Sequence, residues 1–139
     1  IRGQWNRSAS CLGEAVMKIK KTSFAVTQSA LDFEKLILSY MDIKRTTFHR
    51  KMIDYYFKNQ IRVHPYLLIS DKTDPHYIRK KAVEQIYLDS VREEKIQKEA
   101  EMYGCRTGVI LFQAMMSYCL AVAPEVLGPE ELGKLFNVE

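Results

Sequence analysis

The sequence predicts a mostly helical domain built on a short antiparallel two-stranded ribbon, in which two strand-helix-helix units fold into one pseudo-two-fold, four-helix core. Three observations lead there. Residues 83–88, Val-Glu-Gln-Ile-Tyr-Leu, alternate with the period of two that marks a half-buried strand. Two helical stretches follow directly, the first polar-faced and the second apolar. The same order occurs once more, earlier in the chain, and a unit that repeats needs a neighbour to cover its greasy side.

In the later unit, residues 79–123, the strand stops at Asp89-Ser90, where a side-chain oxygen can take up free N–H groups at a helix start. Val91, Ile96, Ala100 and Tyr103 share one face of the helix, between charged residues. Gly104 is expected to end it, because glycine enters the left-handed cap without strain. Thr107 is expected to cap a second helix from about Gly108 to Ala121.

In the earlier unit, residues 17–59, Thr22–Val26 is the strand and Ser29 the expected cap of a helix with apolar Leu31, Leu36, Ile37 and Tyr40. Residues 42–45 form the turn and Thr46 the next cap, with Phe48, Met52, Ile53, Tyr56 and Phe57 inside the second helix. Superposing Thr46 on Thr107 sets Arg45 over Arg106 and Phe48 over Val109. This unit lacks the turn glycine. Between the units, residues 60–78 carry the breakers His64-Pro65 and Asp74-Pro75 around an apolar Tyr66–Ile69, expected to pack across the core or add an edge strand. Residues 1–16 have no clear period and read as an arm or an upstream or added segment, unless the chain as a whole is a fragment of something longer. Residues 124–139 read as a tail with a short helix, in which Leu127, Leu132, Leu135 and Phe136 cap the core or dock another chain.

The order of strand ending in Leu88, polar helix with Ile96 inward, turn with Gly104 and Arg106, Thr107 and then an aliphatic helix with Val109 and Ile110 resembles the ribbon-helix-helix family of DNA-binding proteins, the class of the Arc and methionine repressors. Two copies in one chain resemble the tandem members found on conjugative plasmids. With both copies in one chain, strand 22–26 is expected beside strand 83–88 of the same chain, the alternative being a dimer of chains pairing like with like. The resemblance implies that the ribbon enters the major groove of double-stranded DNA.

Alternation then divides the side chains. With Phe24, Val26, Ile86 and Leu88 inward, the expected base contacts are Lys21, Ser23, Ala25, Val83, Gln85 and Tyr87. Glutamine bonds adenine, and Val and Ala suit a thymine methyl. Tyr87, bulky for the groove, suits a flanking phosphate. The N-terminal ends of the second helices, with Lys44, Arg45, Thr46 and Thr47 in one unit and Arg106, Thr107 and Gly108 in the other, are the expected phosphate contacts. Glu84 fits this scheme badly. Either the ribbon face is inverted there or the second unit has lost strong DNA contact.

Charge agrees with a polyanion partner for the first unit. The chain carries +4 overall, yet residues 17–63 hold 10 Lys/Arg against 4 Asp/Glu, residues 79–123 hold 7 against 6, and the last sixteen residues are at −3. Three cysteines at irregular spacing, Cys11, Cys105 and Cys119, suit neither a disulfide framework nor zinc, and point to a reducing cytoplasm. No apolar run was expected to approach the eighteen or so residues that span a bilayer, and no signal peptide is evident. His49 is expected on a polar or boundary face, His64 and His76 beside prolines in the linker, and none in a metal site. No phosphate loop or hydrolase motif is present, so an enzyme and a cofactor are not expected. The expected function is sequence-specific DNA binding, as a small repressor or a mobile-element accessory factor. The alternative is a protein-interaction or antitoxin-like module that self-associates or binds a partner through its tail, keeping the fold without strong DNA contact.

Overall fold

A computed structural model describes residues 18–130, so the N-terminal arm and Leu132, Leu135 and Phe136 of the tail lie outside it. Its elements, in order, are strand β1 (Ile19–Val26), helices α1 (Gln28–Tyr40) and α2 (Arg45–Lys58), a 3-10 turn (Pro65–Leu68), strand β2 (Ala82–Asp89), and helices α3 (Ser90–Tyr103) and α4 (Thr107–Val126). The described residues are therefore mostly helical, with helices α1 to α4 on one two-stranded sheet. Both strands run longer than the alternation alone indicated.

β1 and β2 pair antiparallel within the chain, with Ser23 opposite Gln85 and Phe24 opposite Glu84. The inner face carries Phe24, Val26, Ile86 and Leu88, all buried. Each such apolar side chain contributes about 1.5–3 kcal/mol on leaving water, and a two-stranded ribbon without that cover is barely stable. The helices supply it. α4 is the central one and packs on β1, α1, α2 and α3. It buries Ile110, Leu111, Phe112, Ala114, Met115, Cys119 and Ala123. Phe48 and Tyr55 of α2 meet Tyr118 of α4 at ring centroid distances of 5.2 and 5.6 Å.

One offset, 62 residues, relates the two halves. It takes Ser23 to its own pairing partner Gln85, the N-cap Thr27 to the N-cap Asp89, and the N-cap Lys44 to the N-cap Arg106. It also carries the buried Phe48, His49, Met52 and Ile53 onto the buried Ile110, Leu111, Ala114 and Met115. This corrects the superposition of Thr46 on Thr107 by one residue.

The caps differ from expectation in the same way. Ser29 does not cap α1; the Thr27 hydroxyl accepts from the Ala30 N–H at 3.1 Å. Thr46 and Thr107 lie inside the first turns of α2 and α4, whose N-caps are Lys44 and Arg106 and bring no side-chain oxygen. In each case the chain turns into the helix one or two residues before the hydroxyl, which decides the cap. Asp89 does cap α3, accepting from the Arg92 N–H at 2.9 Å. Gly104 closes α3 at φ 67°, whereas α1 ends on Met41 at φ −100° in extended backbone, so no glycine is needed there.

Other differences follow from packing. α1 faces inward with Ala30, Glu34 and Ile37, leaving Tyr40 exposed, and Val91 of α3 is exposed too. The linker adds no strand: only Leu67 of its 3-10 turn is buried, and Tyr66 and Leu68 face outward. α4 continues past Ala121 through Pro124, and Leu127 is buried at its end. Contrary to the expectation for apolar runs, α4 is long and apolar enough to cross a bilayer by length and composition; its apolar face serves the core.

Candidate nucleic-acid interface

The pleat puts all six expected base-contact residues on one exposed face of the ribbon. They form three cross-strand pairs: Lys21 with Tyr87, Ser23 with Gln85, and Ala25 with Val83. The Lys21 ammonium lies 6.0 Å from the centre of the Tyr87 ring. The 62-residue offset matches Lys21 to Val83 and Ala25 to Tyr87. One end of the face is therefore cationic and aromatic and the other is small and apolar.

Both second helices begin beside the ribbon, each against the opposite strand. Gly108 sets the start of α4 close against β1, where a Cβ would stand 3.4 Å from the Cβ of Phe24. Arg106 and Thr107 are exposed there. Together with Ser23 and Ala25 they line a concavity of about 780 Å³ that also takes in Lys72 of the linker and Lys80 just before β2. Its described lining holds no Asp or Glu. Burial lowers the pKa of Lys80, and its ammonium sits 5.3 Å from the centre of the Phe112 ring. Lys72 and Lys80 were missed as contact candidates, because their place beside α4 depends on how the linker folds back.

The start of α2 behaves differently. Lys44 is exposed and Thr46 and Thr47 are half-buried. Arg45 turns inward instead of outward. Its Nη1 donates to Glu34 Oε1 at 3.2 Å and to both carboxylate oxygens of Glu84 at 3.0 Å. Arg45 thus pairs with interior acids while 40% of its side chain stays exposed. The same arrangement resolves Glu84. The ribbon face is not inverted; Glu84 sits among the inner residues, 5% exposed, and its charge is met from α2.

His49 completes this interior group. It is 2% exposed, not on a polar face, and its Nε2 lies 3.2 Å from Glu34 Oε2 and 3.0 Å from Glu84 Oε2. Burial opposes a charge on His49, but the two carboxylates hold its pKa above the ordinary histidine value. Burial likewise pushes Glu34 up. It would push Glu84 up too, yet hydrogen bonds from His49 and Glu34 and the Arg45 charge bring it down to about 2. Glu34, with one contact to Arg45 against two for Glu84, is the carboxyl that keeps a proton more readily. Among the described residues, Glu34, His49 and Glu84 are a group whose ligating atoms lie within 4.8 Å of one another. No single stretch could have shown it, since α1, α2 and β2 each give one member.

The remaining polar residues serve the frame. Arg92 joins Asp54 of α2 at 2.7 Å and the α3 cap Asp89 at 2.5 Å, and the Tyr56 hydroxyl donates to Glu99 at 2.8 Å. His64 and His76 both pack on the Tyr66 ring, at centroid distances of 4.7 and 4.3 Å. Compared with protein-family models, with curated proteins and with solved structures, the chain matches nothing in any of the three.

Proposed function

We propose that this chain is a tandem ribbon-helix-helix protein whose two units pair about a pseudo-two-fold axis through Ser23 and Gln85, and that it binds double-stranded DNA with the outer face of the β1–β2 ribbon in the major groove. The observation that carries this reading is the exposed face itself. Six residues with the donors, acceptors and methyl groups suited to base edges stand together on a two-stranded ribbon of the width that groove admits. The helix starts beside it support the reading. α2 and α4 offer N–H groups that no side chain caps, flanked by Lys44 on one side and by Arg106 and Lys80 on the other, as phosphate contacts require.

The two ends of the ribbon differ, so the preferred site is not a palindrome. Lys21 suits guanine O6 and N7, Gln85 suits adenine near the centre, and Ala25 and Val83 suit thymine methyls at the other end. A chain of this kind acts as a small repressor or as an accessory factor on mobile DNA. The test is selection of bound duplexes from a random pool, followed by salt titration of the recovered site. We expect one asymmetric sequence per chain and affinity that falls steeply with salt. Lys44→Ala with Arg106→Ala, which avoids the interior role of Arg45, should weaken all duplexes alike and flatten the salt dependence by about 1 in slope per cation removed. Recovery of no sequence, and no binding at low salt, would leave the protein-interaction module as the better reading.

A further inference from the structure

The offset that relates the two halves sets Glu34 on Ile96, His49 on Leu111, and Glu84 on Thr22. The matching places hold two buried aliphatic side chains of the second half, Ile96 and Leu111, and a half-buried threonine of the first, Thr22. The packing problem is the same, and apolar groups meet it. A cluster of three ionisable groups, two from the first half and Glu84 from the second, is therefore not a requirement of the fold. An ionic cluster in a core is often no more stabilising than apolar residues of the same shape, so it invites a role of its own.

Its geometry suggests which. The Oε2 atoms of Glu34 and Glu84 both face His49 Nε2, at 3.2 and 3.0 Å. Ligand atoms around a tetrahedral ion with bonds of about 2.0–2.1 Å stand about 3.3 Å apart. Arg45 holds Glu34 Oε1 and both oxygens of Glu84, so a metal on Glu84 Oε2 would share that atom with Arg45, which would otherwise act as an outer partner orienting the carboxylates. Arg45, with 40% of its side chain exposed, stands between the cluster and solvent. Once a cation displaces the proton held between Glu34 and His49, two carboxylates against one guanidinium leave one negative charge, which a cation at the corner shared by the three ligating atoms would meet.

We propose that Glu34, His49 and Glu84 bind one divalent transition-metal ion of the zinc class, through the two Oε2 atoms and Nε2, with Arg45 orienting the carboxylates. One nitrogen and two carboxylate oxygens suit Zn²⁺, with a fourth place for water. The ion would tie α1 and α2 to β2 directly under Val83 and Gln85. The inference does not depend on DNA binding.

The test uses the full chain, stripped with chelator and then equilibrated with Zn²⁺ or Co²⁺. The readouts are metal content per chain, thermal unfolding, and the visible bands of Co²⁺. We expect one ion per chain and a midpoint raised by about 10 °C at a hundredfold excess over Kd. Glu34→Ile with His49→Leu, which copies the second half, should fold and lose both effects. His49→Gln provides a second variant that removes Nε2 with little change of volume, and it should lose the Co²⁺ bands. His64→Ala with His76→Ala should change nothing. No uptake by the unaltered chain, or uptake that persists in both cluster variants, overturns the proposal; the first result would make the group an internal ion network alone.

Discussion

Where the first half of the chain buries Glu34 and His49, the second half buries Ile96 and Leu111, and the helices around them begin, cap and pack at matching places. The comparison separates what the fold needs from what has been added to it. The fold needs volume at these positions. The charges need one another: Glu34 and Glu84 stay in the interior because Arg45 and His49 reach them. A second contrast lies at the surface. The first half carries most of the excess positive charge, yet its Arg45 is spent inward, while in the second half Arg106 is exposed beside Lys80 and Lys72. The basic side chains at the two helix starts thus differ in how far acids engage them.

The comparison can be broken most sharply at His49. His49→Leu alone leaves two buried carboxylates with only Arg45, and should destabilise the metal-free protein by about 3 kcal/mol in urea unfolding. The same change together with Glu34→Ile leaves a single Arg45–Glu84 pair and should return stability to within about 1 kcal/mol of the parent. If the double change is as costly as the single one, the two halves are not interchangeable in the way the offset implies.

The helix caps give a smaller contrast. Asp89→Ala should cost about 2 kcal/mol, because Asp89 both caps α3 and pairs with Arg92, whereas Thr27→Ala at the matching cap of α1 should cost about 1. Burial works against the Asp89 charge, but the Arg92 N–H and guanidinium hold its carboxyl below the usual value of 3.8. A carboxyl with a depressed pKa contributes fully above its unfolded value and loses that contribution as pH falls through the folded one. Asp89→Asn, which can still cap, should therefore remove part of the loss of stability below about pH 4. The smallest effect is expected at the turns. Gly104→Ala should cost about 1 kcal/mol at φ 67°, and Met41→Ala, in extended backbone, should show no conformational penalty of that kind.

Much of the frame was legible in the sequence, for reasons that differ by element. The strands showed because Phe24, Val26, Ile86 and Leu88 alternate with outward residues, and a period of two allows only one choice of face. Gly104 showed because few residues take its conformation. The caps of α1, α2 and α4 were misplaced because several hydroxyls stand near each helix start, and the path of the chain decides which one meets the free N–H groups. The outward ribbon face followed from the same alternation as the core. The ionic cluster did not, because Glu34 and Glu84 lie 15 and 35 residues from His49. Glu84 stood out as an acid in register with Ile86 and Leu88, but Glu34 and His49 read singly as surface or boundary residues, and only the packing of α1, α2 and β2 makes the three a group.

The most direct measurement is the affinity of the full chain for its selected duplex when the outer ribbon face is changed and the core is not. Lys21→Ala with Gln85→Ala removes two exposed side chains that face away from the helices. The prediction is unchanged thermal stability, a loss of specific affinity of at least about tenfold, and near-equal binding to selected and scrambled duplexes. Full retention of preference for the selected duplex would contradict the assignment of DNA reading to this ribbon.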